Sequence, residues 1–161
     1  MISLIAKVVA HFRVNKIQKT HSKAIKIQDD ILRRLVKKAV NTKFGRDHEF
    51  TNISNYEDFK KKVPIRDYES IKHYIKDIQK GKENILWPGK PKYLAKTSGT
   101  TSGAKFIPIT KESLPFHVNS SRDAILFYIK QTGRSDFLNG KNIFIQGSPV
   151  LEEMNGVLIG R

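Results

Sequence analysis

The chain has 161 residues, 39% of them hydrophobic and 28% charged, with no cysteine; that suits one domain with its own core and excludes a disordered chain, disulfides and thiolate metal sites. The absent thiols fit a reducing compartment, so the chain is read as cytoplasmic. The net charge of +15 is uneven: residues 1–82 hold 20 Lys and Arg against 9 Asp and Glu, residues 83–161 hold 10 against 6, which marks polyanions as partners to weigh against a plain solvated surface.

The opening stretch, "MISLIAKVVAHFRVNKI", places Ile2, Ile5, Val8, Val9 and Phe12 on one face of a predicted helix. Such a stripe is expected to pack on its own protein, the alternative being a helix lying on a membrane surface. Lys7 and Arg13 break the apolar run and no small-residue cleavage site follows, so neither a signal peptide nor a membrane span is predicted. In "AIKIQDDILRRLVKKAVNTKFG", Ile27, Ile31, Leu35, Val36, Ala39 and Val40 recur at three- and four-residue intervals, an amphipathic helix with Phe44-Gly45 as a left-handed stop. Ser54 and Glu57 have capping-box spacing for a short helix that Pro64 ends. A further helix runs from about Asp67 to Gln79, burying Tyr68, Ile71, Ile75 and Ile78 before Gly81.

The character changes at "NILWPGKPKY", whose prolines and glycine around Trp87 read as a loop or arm. Tyr93–Lys96 and Phe106–Ile109 are strand-like runs on either side of a polar loop. A helix is predicted from Lys111 to about Gln131 with Thr110 as its N-cap, and Asn142–Gly147 fits a buried strand. Helices first and mixed elements later suggest an α/β fold. The last apolar run, "NGVLIGR", starts a strand without completing a domain, the pattern expected of a fragment. The five histidines are scattered without ligand-like spacing, and no metal ligand is assigned.

Between the two short strands lies Thr97-Ser98-Gly99-Thr100-Thr101-Ser102-Gly103, with Lys105 two positions on. Gly99 and Gly103 let the backbone approach another molecule closely, consecutive N–H groups can form an anion-binding nest, and five hydroxyls add donors. Lys105 supplies a compact cation. A ligand-free Ser/Thr-rich hairpin is the competing reading. The Walker pattern fails, because three residues and not four separate the glycines and Phe106 follows the lysine. A G-x-G-x-x-G fingerprint is absent.

"TSGTTSGAK" resembles the phosphate-loop signature of adenylate-forming enzymes, Thr-Ser-Gly-Thr-Thr-Gly-x-x-Lys. Lys105 keeps the family lysine's offset from Thr97, while the second glycine comes one place late, after Ser102. That shift and the following "KFIPIT" are closer to the GH3 branch, the acyl acid amido synthetases of plants and bacteria. "NTKFGRDHEF", "VPIRDYESIKHYI", "GKENILWPGKPKYLAKTSGTTSG" and "GKNIFIQGSP" are similar to successive blocks of its bacterial members, over the chain from about Lys26 onward.

The resemblance implies a helical N-terminal segment leading into the start of the large N-terminal domain of an adenylating enzyme. Residues 1–82 form its basic helical part, residues 83–161 its phosphate-loop α/β part, and the C-terminal domain is absent. It implies ATP with Mg²⁺, a small carboxylic acid and an amino acid as partners, and neither nucleic acid nor stable membrane insertion. Thr97, Ser98, Gly99, Thr100, Thr101, Ser102, Gly103 and Lys105 would hold the ATP phosphates, Lys105 also acting in catalysis. On the helix after the loop, His117 and Arg122 are the candidates for the acid's carboxylate. The family's adenine, ribose and Mg²⁺ residues would lie beyond residue 161, so this chain alone is expected to be inactive. The rival readings are a basic module that binds nucleic acid or anionic membrane, and an inactive truncated remnant.

Overall fold

The computed structural model of the chain describes residues 2–97, 103–141, 143 and 150–160. They fall in two compact units, Met1–Ala24 with Glu112–Ile145 and Ile25–Lys111 with Gln146–Arg161.

The first unit is a pair of helices, α1 (Ile2–Gln18) and a second, numbered α6 by its place in the chain (Leu114–Thr132), followed by a 3-10 turn at Asp136–Asn139. Ala6, Ala10 and Val14 recur every fourth residue, and this row of small side chains lets α1 close onto Leu126 and Ile129, with Leu138 beside them. Arg13 then forks onto Asp123, Nε to Oδ1 at 2.9 Å and Nη2 to Oδ2 at 2.6 Å. This hydrogen bonding holds the Asp123 carboxyl below its ordinary range. The predicted packing stripe is therefore on the wrong face: Ile5, Val8, Val9 and Phe12 are all exposed. Small residues won because they allow closer helix approach than the branched and aromatic ones.

Helix α6 begins three residues later than predicted, with Ser113 and not Thr110 at the N-cap position. A start at Lys111 would put Pro115 inside the helix, where its ring clashes with the carbonyl four residues back. In the first turn the missing N–H costs nothing. Gly133, at φ 69°, ends the helix and donates its N–H to the Ile129 carbonyl.

The second unit carries α2 (Ala24–Ala39), α3 (Lys43–Asp47), a 3-10 turn at Phe50–Asn52, α4 (Tyr56–Lys62) and α5 (Tyr68–Gln79). Its sheet is formed by β1 (Tyr93–Lys96), β2 (Phe106–Ile109), β3 (Glu152–Met154) and β4 (Val157–Gly160) in the order β2-β1-β4-β3. β1 pairs antiparallel with β2 and parallel with β4, Leu94 opposite Ile159, so the architecture is α/β. Leu94, Val157 and Ile159 pack with Tyr74, Ile75, Ile78 and Ile85 in one core, and Leu94 and Val157 are wholly buried. A second cluster gathers Val36, Ala39 and Phe50, with Leu32, Val40, Phe59 and Trp87 around it. Ile31 and Leu35, placed on the predicted stripe, are exposed, because the buried row runs through Leu32, Val36, Ala39 and Val40 instead. The predicted strand at 142–147 falls outside the described residues except for Ile143, which is exposed.

Gly45 is not a stop. It lies buried inside α3, and a Cβ there would come within 2.1 Å of the Ala39 carbonyl oxygen. α2 ends at Ala39, and Thr42 turns the chain: its hydroxyl donates to the Ala39 carbonyl at 2.7 Å and accepts from Gly45 N–H at 2.9 Å. The Lys43 and Phe44 N–H groups donate to the Asn84 and Ile85 carbonyls, so the exposed donors of a new helix are satisfied by the loop ahead of β1. The cap of α4 is likewise one place on from the predicted Ser54. Asn55 accepts from Asp58 N–H at 3.0 Å, and Asp58 in turn accepts from the Ser54 amide and hydroxyl.

Asp77 of α5 takes Lys43 on one carboxylate oxygen and Lys82 on the other, each at 2.7 Å. Their hydrogen bonds, Lys43 first, lower its carboxyl to about 2. A carboxyl lowered in the folded state stabilises the fold above its ordinary pKa, and that contribution is lost as pH falls through the folded value. Asp77→Asn is expected to lower the urea midpoint near neutrality and to flatten its fall between about pH 4 and about pH 2. A variant that loses stability with acid as steeply as the wild type would assign that slope to other carboxylates.

Candidate functional site

The β1–β2 hairpin makes the neck of the polar loop. Its strand register runs from Tyr93 opposite Ile109 to Lys96 opposite Phe106. The pairing continues one step past the strands, Thr97 N–H donating to the Lys105 carbonyl at 2.9 Å and Lys105 N–H to Thr97 Oγ1 at 3.3 Å. Two ends of the predicted phosphate loop are thereby fixed to each other on a sheet strand. Thr97 Oγ1 is already an acceptor, which leaves its O–H hydrogen as the group it can offer a phosphate. Gly103 has φ 81° and open space where a Cβ would stand, the backbone state that glycine adopts without cost. Ser98–Ser102 lie outside the described residues.

Helix α5 reaches the same neck. Tyr68 Oη accepts the Phe106 N–H at 2.9 Å, and the Lys105 ammonium stands over the Tyr68 ring, 5.6 Å from its centre. One residue earlier, Asp67 caps α5 by accepting the Ser70 N–H at 2.9 Å. Hydrogen bonds from Ser70 hold the Asp67 carboxyl below its usual range, and the charge of Lys105 adds to the effect. Tyr68 and Asp67 were absent from the sequence-derived site. Their sequence signal is a cap spacing, Asp67 to Ser70, which announces a helix start and nothing about a loop almost forty positions on.

His117 and Arg122 are on α6, in the first unit, and both are exposed. Five residues apart on a helix, they are about 140° apart around its axis, so the helix does not bring them together. Arg122 Nη2 rests 3.3 Å from Asp123 Oδ1, the carboxylate that Arg13 also grips. Trp87 is packed beside Val36, Ala39 and Phe50 with Lys38 Nζ 5.6 Å above its ring, an anchor for the loop before β1. Among the described residues no group of three His, Cys, Asp or Glu side chains could hold a metal ion, and no helix is long and apolar enough to cross a membrane.

Residues 13–146 match the GH3 family N-terminal domain. The indole-3-acetic acid-amido synthetase GH3.15 of Arabidopsis thaliana is 32% identical over 137 residues, 83% of this chain and 22% of that protein. The same plant's indole-3-acetic acid-amido synthetase GH3.5 is 25% identical over 138 residues, 82% and 22% of the two chains. A solved structure of the GH3.15 acyl acid amido synthetase superimposes with a TM-score of 0.77 at 23% identity, covering 91% of this chain and 26% of that one. A second, in complex with 2,4-DB, gives 0.77 at 24% identity over the same shares. The chain thus spans about a fifth of the length of the curated relatives it matches.

Proposed function

Since the chain belongs to the GH3 family, we propose that it carries the phosphate-binding part of an ATP-dependent acyl acid amido synthetase acting in the cytoplasm. The relatives it matches are amido synthetases. The observation that carries the reading for this chain is the hairpin neck, where Thr97 and Lys105 are bonded to each other and the Lys105 cation is held over Tyr68. ATP is a substrate here. The loop hydroxyls and amides of residues 97–103 would receive its phosphates, Gly103 would let the backbone close on them, and Lys105 would offset their charge. Mg²⁺ would arrive with the nucleotide, and no ligand for it is assigned in this chain.

The chemistry runs in two displacements. A carboxylate oxygen attacks the α-phosphorus of ATP, the bond to the β-phosphate oxygen breaks, and pyrophosphate leaves. The amine of an amino acid then attacks the acyl carbon, the carbon–oxygen bond to AMP breaks, and the amine proton passes to solvent. Adenylation turns a poor acyl donor into a good one, and the loop's part is to hold the phosphates still while charge shifts onto the leaving pyrophosphate.

Acid-dependent ATP–pyrophosphate exchange on the full natural polypeptide tests the reading. Exchange is expected only when a suitable carboxylic acid is present, with Thr100→Ala reducing it by about tenfold or more. Exchange that needs no acid, or its absence across a broad panel of acids, would overturn the assignment.

A further inference from the structure

Two lysines stand over tyrosine rings of α5, and they differ in what else engages them. Lys43, over the Tyr74 ring, is neutralised by Asp77 at 2.7 Å. Lys105, 5.6 Å from the centre of the Tyr68 ring, makes no ion pair among the described residues. Asp67 feels its charge, but that carboxylate accepts the Ser70 N–H and hydroxyl as the cap of α5. A ring face attracts an ammonium without cancelling it, so Lys105 is held and still has its positive charge to give. The ring is fixed in turn. β2 is an edge strand of the sheet, and Thr97 with Lys105 is the hydrogen-bonded pair at the hairpin neck. At the next pair, Lys96 opposite Phe106, the Phe106 N–H therefore faces away from β1. Tyr68 Oη accepts it at 2.9 Å, which seats the ring beside the preceding residue, Lys105. Below the ring, α5 is anchored in the core through Tyr74, Ile75 and Ile78.

We propose that Tyr68 is the positioning residue for Lys105: its ring stations the ammonium at the neck of the loop, un-neutralised, before the phosphates of the nucleotide arrive. The inference rests on the reading of residues 97–105 as the phosphate cradle. A free lysine side chain samples many rotamers and gives up that freedom when it meets a phosphate. One already held over Tyr68 has given up much of it on folding, so the cost does not fall on nucleotide binding. A carboxylate in place of the ring would hold the lysine equally well, but it would cancel the charge that the phosphates need.

The test changes the charge distribution of the ring and keeps its shape. In the full natural polypeptide, position 68 is converted to phenylalanine or, by nonsense suppression, to pentafluorophenylalanine, whose face repels a cation. Both lack the hydroxyl, so their difference reads the ring alone. Acid-dependent ATP–pyrophosphate exchange at subsaturating ATP is expected to fall about threefold in Tyr68→Phe, for the lost bond to Phe106. The fluorinated ring should lower it about a further tenfold. In the Lys105→Ala background the two rings should give equal residual exchange. Acetylation of Lys105 by an N-hydroxysuccinimide ester, read by peptide mass spectrometry, should run several-fold faster beside the fluorinated ring. Equal exchange with the two rings, a difference that persists without Lys105, or equal acetylation would each overturn the inference. Absent exchange in the wild type would sink the synthetase reading instead, while the acetylation still decides whether Tyr68 holds the lysine.

Discussion

Gly45→Ala is expected to cost about 3 kcal/mol of stability. The new methyl would stand 2.1 Å from the Ala39 carbonyl oxygen and 3.0 Å from the Val40 carbonyl oxygen. Both neighbours are backbone, so no side chain can swing aside. The Ala39 carbonyl also receives the Thr42 N–H and hydroxyl, and Thr42 caps α3 through the Gly45 N–H. Separating α2 from α3 would therefore strain the turn and its cap together. Urea denaturation followed by circular dichroism measures the loss. Gly133→Ala is the comparison: φ is positive there, but nothing stands within 4 Å of its Cβ, so only the backbone penalty of about 1 kcal/mol is expected. Equal costs at the two sites would show that the elbow relaxes and that the close approach is not what requires glycine.

Lys105→Ala is expected to lower acid-dependent pyrophosphate exchange by about 100-fold, corresponding to about 2.7 kcal/mol of transition-state stabilisation. The fold should survive, because the bonds that close the neck run through the Lys105 backbone and the Thr97 side chain, not through the Lys105 ammonium. Lys105→Arg should recover only part of the rate, since a planar guanidinium does not replace a compact ammonium at a phosphate. Exchange and a urea midpoint measured on the same preparations separate lost chemistry from lost structure. An unchanged exchange rate in Lys105→Ala would remove the lysine from the phosphate cradle.

Much of this protein is legible in its sequence. The two hairpin strands fall at Tyr93–Lys96 and Phe106–Ile109 as predicted, because two short apolar runs flank a polar loop rich in turn-forming residues. The family is legible for a different reason: the loop and its flanking blocks have spacings that few other chains share. Local competition hides the rest. Ser54 and Asn55 each stand three residues before an acidic side chain, and the structure seats the cap on Asn55 while Ser54 donates to Asp58. Gly45 carries the marks of a stop, and its real constraint is a carbonyl six residues away that no periodicity reveals. Tyr68 beneath Lys105 is a tertiary meeting of two blocks, each readable alone and silent about the other.

The parallel pairing of β1 with β4 sets an order of assembly. β1 and β2 can zip together locally, as can β3 and β4 across the Asn155-Gly156 turn. Leu94, however, is sealed only when Ile159 arrives beside it, after the chain has left this unit at Lys111 and returned at Gln146. Closing so long a loop is an entropic barrier that the local hairpins do not share. On a ribosome the first hairpin therefore emerges with its inner face bare and waits some fifty residues of synthesis for its lid. Over that interval the nascent chain presents Leu94 and the α5 residues Ile75 and Ile78 to whatever chaperone attends it.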